Sequence, residues 1–226
     1  MDIQLYFEER GAGTPLILLH GNGESGAYFA RQWDAFSARY RVIAVDTRGH
    51  GRSPRGTAPF TLDQFALDLH GFLLERGIAR AHILGFSDGG NIALLFALKY
   101  PEMVDKLILN GANLYPGGVE PLAQIPIVLG YGVVSLMAYL DKRALPKKEM
   151  LGLMVNQPHI APSSLETLSA PTLVIAGTRD MIRGRHTRLI AASIPGAELM
   201  ILEGDHFIAA KNSTAFNEAV LAFLAK

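Results

Sequence analysis

Gly85-Phe86-Ser87-Asp88-Gly89-Gly90 is the stretch of sequence that decides the fold. It follows a short apolar run at residues 81–84 and precedes a helix-like stretch at residues 91–100. A serine with glycine two positions away on each side, at such a junction, is typical of a sharp turn that lifts the hydroxyl clear of a sheet. Side chains at Gly85 and Gly89 would collide with neighbouring backbone in that turn. We therefore predict that Ser87 is a nucleophile.

Short apolar runs recur along the chain, and each is followed by a glycine-rich loop and then by a helix-like pattern. Predicted strands cover residues 16–19, 41–45, 82–84, 106–110, 172–176 and 198–202, and residues 1–10 alternate like a further strand. Predicted crossover helices cover residues 28–40, 62–77, 91–100, 186–194 and 213–226. Continuous apolar strands separated by helices indicate a mainly parallel sheet covered on both faces. We predict an α/β fold with a doubly wound sheet.

The segment of residues 114–169 interrupts this alternation. It contains six prolines and two helix-like stretches, at residues 125–140 and 147–156. Loops this long in compact domains are usually functional, so we predict a small helical cap on a core formed by residues 1–113 and 170–226. The alternative is an extra crossover helix with long loops. The apolar stretch at 125–140 is shorter than the roughly 18 residues that cross a bilayer and is predicted to be a buried or amphipathic helix.

Two further loops carry residues that would complete a catalytic relay with Ser87. In open α/β sheets, functional groups collect on loops beyond the carboxyl ends of the strands. His206 follows the last predicted strand and can take the proton of the Ser87 hydroxyl as general base. Asp180 follows the strand at residues 172–176 and can orient that imidazole. The order Ser87, Asp180, His206 therefore predicts a catalytic triad.

Acyl transfer at such a serine also needs hydrogen-bond donors for the oxyanion, which commonly contribute a few kcal/mol. The backbone amide of Asp88 follows the nucleophile and begins a helix. A second donor is expected in His20-Gly21-Asn22-Gly23, where glycines permit close approach of the backbone. We predict the amide of Asn22 as this donor, with the amide of Gly23 as the alternative.

These motifs together give the sequence a likeness to a known family: it resembles the α/β-hydrolase fold family over nearly its whole length. The matching motifs are His20-Gly21-Asn22-Gly23-Glu24-Ser25, Asp46-Thr47-Arg48-Gly49-His50-Gly51-Arg52-Ser53, Gly85-Phe86-Ser87-Asp88-Gly89-Gly90, Gly177-Thr178-Arg179-Asp180 and Gly204-Asp205-His206-Phe207. The elbow with Asp88 and Gly90 is similar to that of the biphenyl-hydrolase-like and valacyclovirase group. The resemblance implies hydrolysis of an ester, thioester, lactone, amide or carbon–carbon bond. The predicted cap is short for the family, which argues against large substrates.

Two other aspartates compete with Asp180 for the role of orienting acid. Asp205 directly precedes the catalytic histidine, so its carboxylate is expected to point away from Nδ1 of that ring. Asp46 is expected to be structural, in a buried network with Arg48 or Arg52. Asp180 is therefore the predicted acid.

Four side chains are candidates for contact with substrate. Phe86 and Asn113 are expected to line the acyl site. His159 is the cap residue whose imidazole could reach substrate, and the alternative is a solvated loop histidine. The carboxylate of Asp88 either binds a substrate amine or only adds charge at a helix N-terminus, where it is favourable by a few tenths of a kcal/mol.

Composition limits the partners. The 226 residues include 21 Lys plus Arg and 21 Asp plus Glu, so no electrostatic footprint for nucleic acid or an anionic membrane is present. We predict neither partner, and a small-molecule substrate instead. The chain has no Cys and no signal-like N-terminus, which favours a cytoplasmic protein. His20 and His50 lack the spacing of a metal site, so hydrogen bonds between loops are expected, and no metal or cofactor is predicted.

The sequence thus predicts a cofactor-independent serine hydrolase that cleaves a small carboxylic ester, or a related thioester, lactone or amide, through an acyl-enzyme on Ser87. Other functions stay open. The scaffold can serve a lyase, a synthase or a carbon–carbon bond hydrolase that uses the base without an acyl-enzyme. It can also serve a non-catalytic receptor for a small ligand. The sequence predicts neither the substrate nor the oligomeric state.

Overall fold

The sheet of the protein has seven strands, and a computed structural model describes residues 2–226. The strands are β1 (Phe7–Arg10), β2 (Pro15–Leu19), β3 (Arg41–Val45), β4 (Ala81–Phe86), β5 (Val104–Asn110), β6 (Thr172–Arg179) and β7 (Glu198–Asp205). Their spatial order is β1-β3-β2-β4-β5-β6-β7. β1 pairs antiparallel with β3, and every other pair in the sheet is parallel. The predicted α/β fold with a mainly parallel sheet is confirmed.

The helices cover both faces of this sheet. They are α1 (Trp33–Ser37), α2 (Leu62–Glu75), α3 (Asp88–Lys99), α4 (Pro121–Leu140), α5 (Leu145–Asn156), α6 (Gly184–Ser193), α7 (Ile208–Lys211) and α8 (Ser213–Leu224). α2, α3, α6 and α8 lie within three residues of their predicted bounds. The predicted helix at residues 28–40 is wrong as one element, because Gly26–Phe29 forms a separate 3-10 turn before the short α1.

The alternation along β2 shows why the strands read as continuous apolar runs. Ile17 and Leu19 point into a core that includes residues of α2, α3 and α6. Leu16 and Leu18 point to the opposite face, where residues of α1 and α8 close a second core. A strand that is buried on both faces needs apolar side chains at every position. The central strands therefore form a rigid base for the loops at their carboxyl ends.

Residues 114–169 leave the sheet between β5 and β6 and contain α4 and α5. α4 begins at Pro121, four residues before its predicted start, so Pro126 lies inside the helix. Pro121 lies in the first helical turn, where a backbone N–H has no helical partner, whereas Pro126 is the sixth residue of α4 and removes one hydrogen bond of the helix. The side chain of Gln124 donates to the carbonyl oxygen of Met154 at 3.2 Å, which ties α4 to α5. The division of the chain into a core and a cap stays a prediction.

α4 is far more exposed than the sequence analysis predicted. Among the described residues it is the one helix that is long and apolar enough to cross a membrane, judged by length and composition alone. Val134 and Ala138 are its buried residues, whereas nine of its large apolar side chains are 43–91% exposed. The prediction of a buried or amphipathic helix is therefore wrong, since the side of α4 that faces outward is itself apolar.

Candidate active site

The site begins at the junction of β4 and α3. Ser87 lies between them with φ of 53° and ψ of −120°, and it is the one non-glycine residue with positive φ among residues 2–226. Such a conformation is strained for a residue with a Cβ atom. A Cβ at Gly85 would lie 2.2 Å from the carbonyl oxygen of Gly89, so the turn leaves no room for a side chain there. The local sequence therefore folds into a strand, a tight turn and a helix, with the serine at the apex.

His206 and Asp180 converge on this serine. Nε2 of His206 lies 3.0 Å from Oγ of Ser87, although 119 positions separate the two residues in sequence. Nδ1 of the same ring lies 2.6 Å from Oδ1 of Asp180. An ionised carboxylate only accepts hydrogen bonds, so Nδ1 carries the ring proton and Nε2 is left to accept from the serine hydroxyl. The geometry is that of a nucleophile, a general base and an orienting acid.

Hydrogen bonds within the loops after β6 and β7 orient the carboxylates of Asp180 and Asp205. Oδ1 of Asp180 also accepts a hydrogen bond from the backbone amide of Ile182 at 2.9 Å, which fixes the carboxylate. Asp205, the alternative acid, turns to the side chain of Lys211 and to the amide of Phe207. Its carboxylate is therefore engaged away from the imidazole, as its place in the sequence predicted.

The two amides that the sequence analysis chose for the oxyanion belong to Asn22, in the loop after β2, and to Asp88, the first residue of α3. Within residues 2–226, neither the amide of Asn22 nor that of Asp88 donates a hydrogen bond to another residue. The side chain of Asn22 donates to Oδ2 of Asp88 at 2.9 Å and to the carbonyl oxygen of Met150 at 2.8 Å. Asn22 thus connects its loop to the start of α3 and to α5. The role of the two amides in binding an oxyanion stays a prediction.

A small pocket opens above Ser87 between the sheet and the 114–169 segment. It is lined by Ser87, Asp88, Asn113, Val119, Gln124, Met154, Gln157, Met181 and Ile182. The cavity measures about 20 Å³, which is room for about one water molecule.

Asp88 lines this pocket as a buried carboxylate without a cation. Burial raises its pKa, and hydrogen bonds from the side-chain amides of Asn22 and Asn91 oppose that rise. No ion pair involves Asp88 in the described part of the chain. Both predicted roles, substrate contact and charge at the N-terminus of α3, stay open.

Asn113 and Phe86, the two residues predicted to line the acyl site, lie in different environments. Asn113 lines the pocket, and its side chain accepts from Asn91 at 3.0 Å. Phe86 does not line it. Its ring stacks on Tyr28 at 4.2 Å between centroids and lies 4.9 Å from the ring of His206, on the core side. The structure thus places Phe86 in the core next to the imidazole, and its predicted contact with the acyl site stays a prediction.

The structure does not bring His159 to the pocket. Its side chain is exposed and lines a separate surface depression with Thr61 and Leu95. Pro158 and Ile160 on either side are buried, so the intervening side chain faces solvent. The prediction of substrate contact by His159 is therefore corrected, and the alternative of a solvated loop histidine describes it.

His20, which is buried at the end of β2, joins two loops through hydrogen bonds. Nε2 of His20 accepts from the amide of Thr47 at 3.0 Å, so Nδ1 carries the proton and donates to the carbonyl oxygen of Gly21 at 2.7 Å. Burial lowers the pKa of His20 to about 4. The ring stays neutral at pH 7 and joins the loops after β2 and β3, which agrees with the expected hydrogen bonds between loops.

Asp46 and Arg48 form two separate networks. The carboxylate of Asp46 accepts from the amides of Gly26 at 2.7 Å and Arg52 at 2.8 Å. The buried guanidinium of Arg48 pairs instead with Asp68 at 2.7 Å and with Asp2 at 2.6 Å. The predicted contact of Asp46 with Arg48 is therefore wrong, whereas the alternative contact with Arg52 is confirmed through the Arg52 backbone amide, and the structural role of Asp46 agrees with the prediction.

Gln124 is a pocket residue that the sequence analysis missed. Its Oε1 is buried, and none of the described residues donates a hydrogen bond to it. The signal was present, because α4 contains no charged residue and Gln124 is its one side-chain amide. An isolated amide in an apolar helix indicates a polar partner on the side that it faces.

Comparisons with known proteins agree with this geometry. The model of a protein family described as alpha/beta hydrolase fold matches residues 14–132. The chain is 29% identical over 252 residues to a protein named carbamate hydrolase RutD from Azorhizobium caulinodans, covering 98% of this chain and 95% of that protein. It is 38% identical over 161 residues to the 2-hydroxy-6-oxononadienedioate/2-hydroxy-6-oxononatrienedioate hydrolase of Burkholderia vietnamiensis, covering 68% and 54%. The structure of a hydrolase from Pseudomonas aeruginosa is similar with a TM-score of 0.78 at 27% identity, covering 99% and 95%.

Proposed function

The chain belongs to the α/β-hydrolase fold family, and on that premise we propose that it is a serine hydrolase of small carboxylic esters or related acyl compounds. The observation that carries the proposal is the relay in which His206 lies 3.0 Å from the Ser87 hydroxyl and 2.6 Å from the Asp180 carboxylate. This arrangement supports proton transfer away from the serine as it attacks a carbonyl carbon.

In the proposed acylation step, Oγ of Ser87 bonds to the acyl carbon while its proton moves to Nε2 of His206. The carbonyl oxygen becomes an oxyanion, which accepts hydrogen bonds from the amides of Asn22 and Asp88. As the tetrahedral intermediate collapses, the bond to the leaving group breaks and His206 gives its proton to that group. Asp180 stabilises the imidazolium formed in between.

In the proposed second step, a water molecule gives a proton to Nε2 of His206 and attacks the acyl-enzyme. The bond between the acyl carbon and Oγ of Ser87 breaks, and the proton returns to the serine. A carboxylic acid leaves. All groups return to their starting protonation states, so the cycle consumes only substrate and water.

The pocket favours a small substrate. We propose that residues 114–169 act as its cap, since Gln124, Met154 and Gln157 close the space above Ser87. The elbow residues Asp88 and Gly90 favour the biphenyl-hydrolase-like and valacyclovirase group within the family. A carbamate is a second candidate substrate, because its N–H would donate to the unpartnered Oε1 of Gln124 and because the relative from Azorhizobium caulinodans is named a carbamate hydrolase.

A carbon–carbon bond hydrolase is the other candidate, favoured by the 38% identity to the Burkholderia vietnamiensis enzyme. The two mechanisms differ in their dependence on the nucleophile. Ester hydrolysis through an acyl-enzyme is lost in both Ser87→Ala and His206→Ala. Activity that survives Ser87→Ala and is lost in His206→Ala would point to use of the base without an acyl-enzyme.

Labelling with a fluorophosphonate tests the proposal directly. We expect stoichiometric labelling of the wild-type protein and none of Ser87→Ala, with hydrolysis measured on a panel of p-nitrophenyl esters, amides, lactones and carbamates. Ser53→Ala is the control, because Ser53 is a buried serine whose hydroxyl donates to the carbonyl of Asp46 away from the site. A folded wild type that neither reacts with the probe nor turns over any compound in the panel would contradict the proposal. Tight binding of a small molecule without turnover would instead support a receptor.

A further inference from the structure

The outward side of α4 forms a continuous apolar stripe that none of residues 2–226 covers. Leu122, Ile125, Leu129, Val133, Leu136 and Leu140 follow one another at spacings of three and four, so they share one side of the helix. Each is more than half exposed, from 55% at Ile125 to 91% at Leu122. Contiguous exposed apolar surface of this kind is rare on soluble monomers and marks a site of interaction.

The opposite side of α4 is held against the protein. Gln124 donates to Met154 in α5, and Val134 and Ala138 are buried. A helix fixed along one side cannot leave the protein to cross a bilayer without losing these contacts. Its free side can only lie against a surface, in the plane of that surface.

Cations flank the stripe at both ends. The residues that follow α4 include Lys142, Arg143, Lys147 and Lys148 against the single carboxylate of Asp141, a net charge of +3 over residues 141–148. At the other end, Arg183 and Arg185 share a surface depression with Pro121 and Glu120, and Arg183 lies 3.9 Å from the Glu120 carboxylate, so this end carries a net charge of +1. The side chain of Arg143 is 92% exposed.

This charge pattern selects between the two kinds of apolar surface that could cover the stripe. In a symmetric dimer with parallel α4 helices, like ends meet, and with antiparallel helices the +3 end of one copy meets the arginines of the other. Either arrangement brings cations together in a poorly hydrated interface, which is unfavourable. An anionic lipid surface complements both ends at once and accepts the apolar side chains between them.

We propose that α4 is an interfacial helix that docks the protein on anionic lipid membranes. The apolar stripe enters the boundary between headgroups and acyl chains, and the cations at its ends contact lipid phosphates. This departs from the sequence-based expectation of no membrane partner, which rested on the zero net charge of the whole chain. The charges balance overall, but they are distributed unevenly around α4.

Flotation with vesicles tests the proposal on the full-length protein, and it needs no catalytic activity. We expect wild type to float with vesicles of phosphatidylcholine mixed with phosphatidylglycerol, and to float much less with phosphatidylcholine alone. Leu129→Glu/Leu136→Glu should weaken binding by about tenfold or more. In wild type each leucine side chain moves from water into the lipid on binding, and the double variant loses this favourable burial. Leu67→Glu/Leu74→Glu is the matched control, because these α2 leucines are also exposed and also seven residues apart; its binding should equal that of wild type.

Charge is tested separately with Lys142→Gln/Arg143→Gln. Each cation removed should weaken binding to the phosphatidylglycerol vesicles about fivefold, and added salt should reduce the difference. Wild type that does not float with either vesicle would overturn the proposal, and so would equal flotation of Leu129→Glu/Leu136→Glu. Sedimentation velocity measures the oligomeric state. A wild-type dimer that becomes monomeric in Leu129→Glu/Leu136→Glu would show that a second copy covers the stripe, which would overturn the proposal.

Discussion

α2 and α4 are both helices with apolar sequences, and they meet opposite environments. α2 carries Asp63 and Glu75 on its outer side, while Phe65, Leu69 and Phe72 are buried against the sheet. α4 has no charged residue, and its apolar side chains face outward. Charged residues without a buried partner mark the side of a helix that faces water, and Asp68, the buried carboxylate of α2, has such a partner in Arg48. Where that mark is missing, an apolar pattern predicts that a helix forms but not what it packs against.

The same contrast divides the candidate site. The loops after β4, β6 and β7 supply Ser87, Asp180 and His206, which are held by hydrogen bonds and, at Ser87, by a strained backbone. The 114–169 segment supplies a wall of uncharged side chains, in which Gln124 has a buried acceptor to which no described residue donates. We therefore expect changes in the core to affect catalysis and stability strongly, and changes in α4 to affect substrate choice and surface interactions.

The largest effect is expected at Asp180. Asp180→Asn keeps the shape of the side chain but removes the carboxylate that holds the imidazole proton on Nδ1, so kcat should fall by about ten-thousandfold. Steady-state kinetics on the best ester of the panel measure this. Asp205→Asn is the matched control, because Asp205 contacts Lys211 instead of the imidazole, and its kcat should stay within about twofold of wild type. A similar fall in kcat in both variants would contradict the assignment of Asp180 as the orienting acid.

The next effect concerns stability. Leu69→Ala in α2 removes a side chain that is 2% exposed, so the free energy of unfolding should fall by about 2–5 kcal/mol. Leu129→Ala in α4 removes one that is 66% exposed, and the change should stay within about 0.5 kcal/mol. Urea denaturation of both variants checks the difference. A large loss in Leu129→Ala would mean that α4 is covered in solution, either by the protein itself or by a second copy.

A smaller effect is expected in the pH dependence of the free energy of unfolding, which should involve His20 but not the 114–169 segment. The folded pKa of His20 is about 4, below its ordinary value of 6.5, so below pH 6.5 the unfolded state binds a proton that the folded state does not. The contribution of the neutral His20 ring to the free energy of unfolding is complete above pH 6.5. It falls by about 2 kcal/mol between pH 7 and pH 5. His20→Gln should flatten that dependence in urea titrations, whereas His159→Gln, at an exposed position in the 114–169 segment, should leave it unchanged. An unaltered slope in His20→Gln would contradict the buried, neutral histidine.

The sequence predicts the loops around Ser87 better than it predicts the 114–169 segment. The elbow at Ser87 and the order of Ser87, Asp180 and His206 predicted which loops meet, because parallel strands bring their carboxyl ends to one edge. The burial of Phe86 was not predictable from its place beside the nucleophile. Whether a side chain next to a turn faces the pocket or the core depends on the twist and register of β4, which the motif does not contain.

The 114–169 segment was harder to predict for a physical reason. Its helices were located approximately, but their packing depends on contacts between distant residues, such as Gln124 with Met154. His159 illustrates the problem. Its exposure is decided by the burial of Pro158 and Ile160, and no local pattern marks that burial.

The smallest expected effect is also the most specific, because it separates substrate choice from catalytic power in α4. Gln124→Met keeps the length of the side chain and removes the buried acceptor. A substrate with an N–H, such as a carbamate, should then lose a hydrogen bond, and its kcat/KM should fall by about two- to tenfold. A simple ester has no donor for Oε1, so its kcat/KM should stay equal or rise slightly, since the variant no longer buries an unsatisfied acceptor. Leu129→Met, on the outward side of the same helix, should change neither rate. A fall of equal size for both substrates would mean that Gln124 only shapes the pocket, and that α4 does not select among acyl groups through this amide.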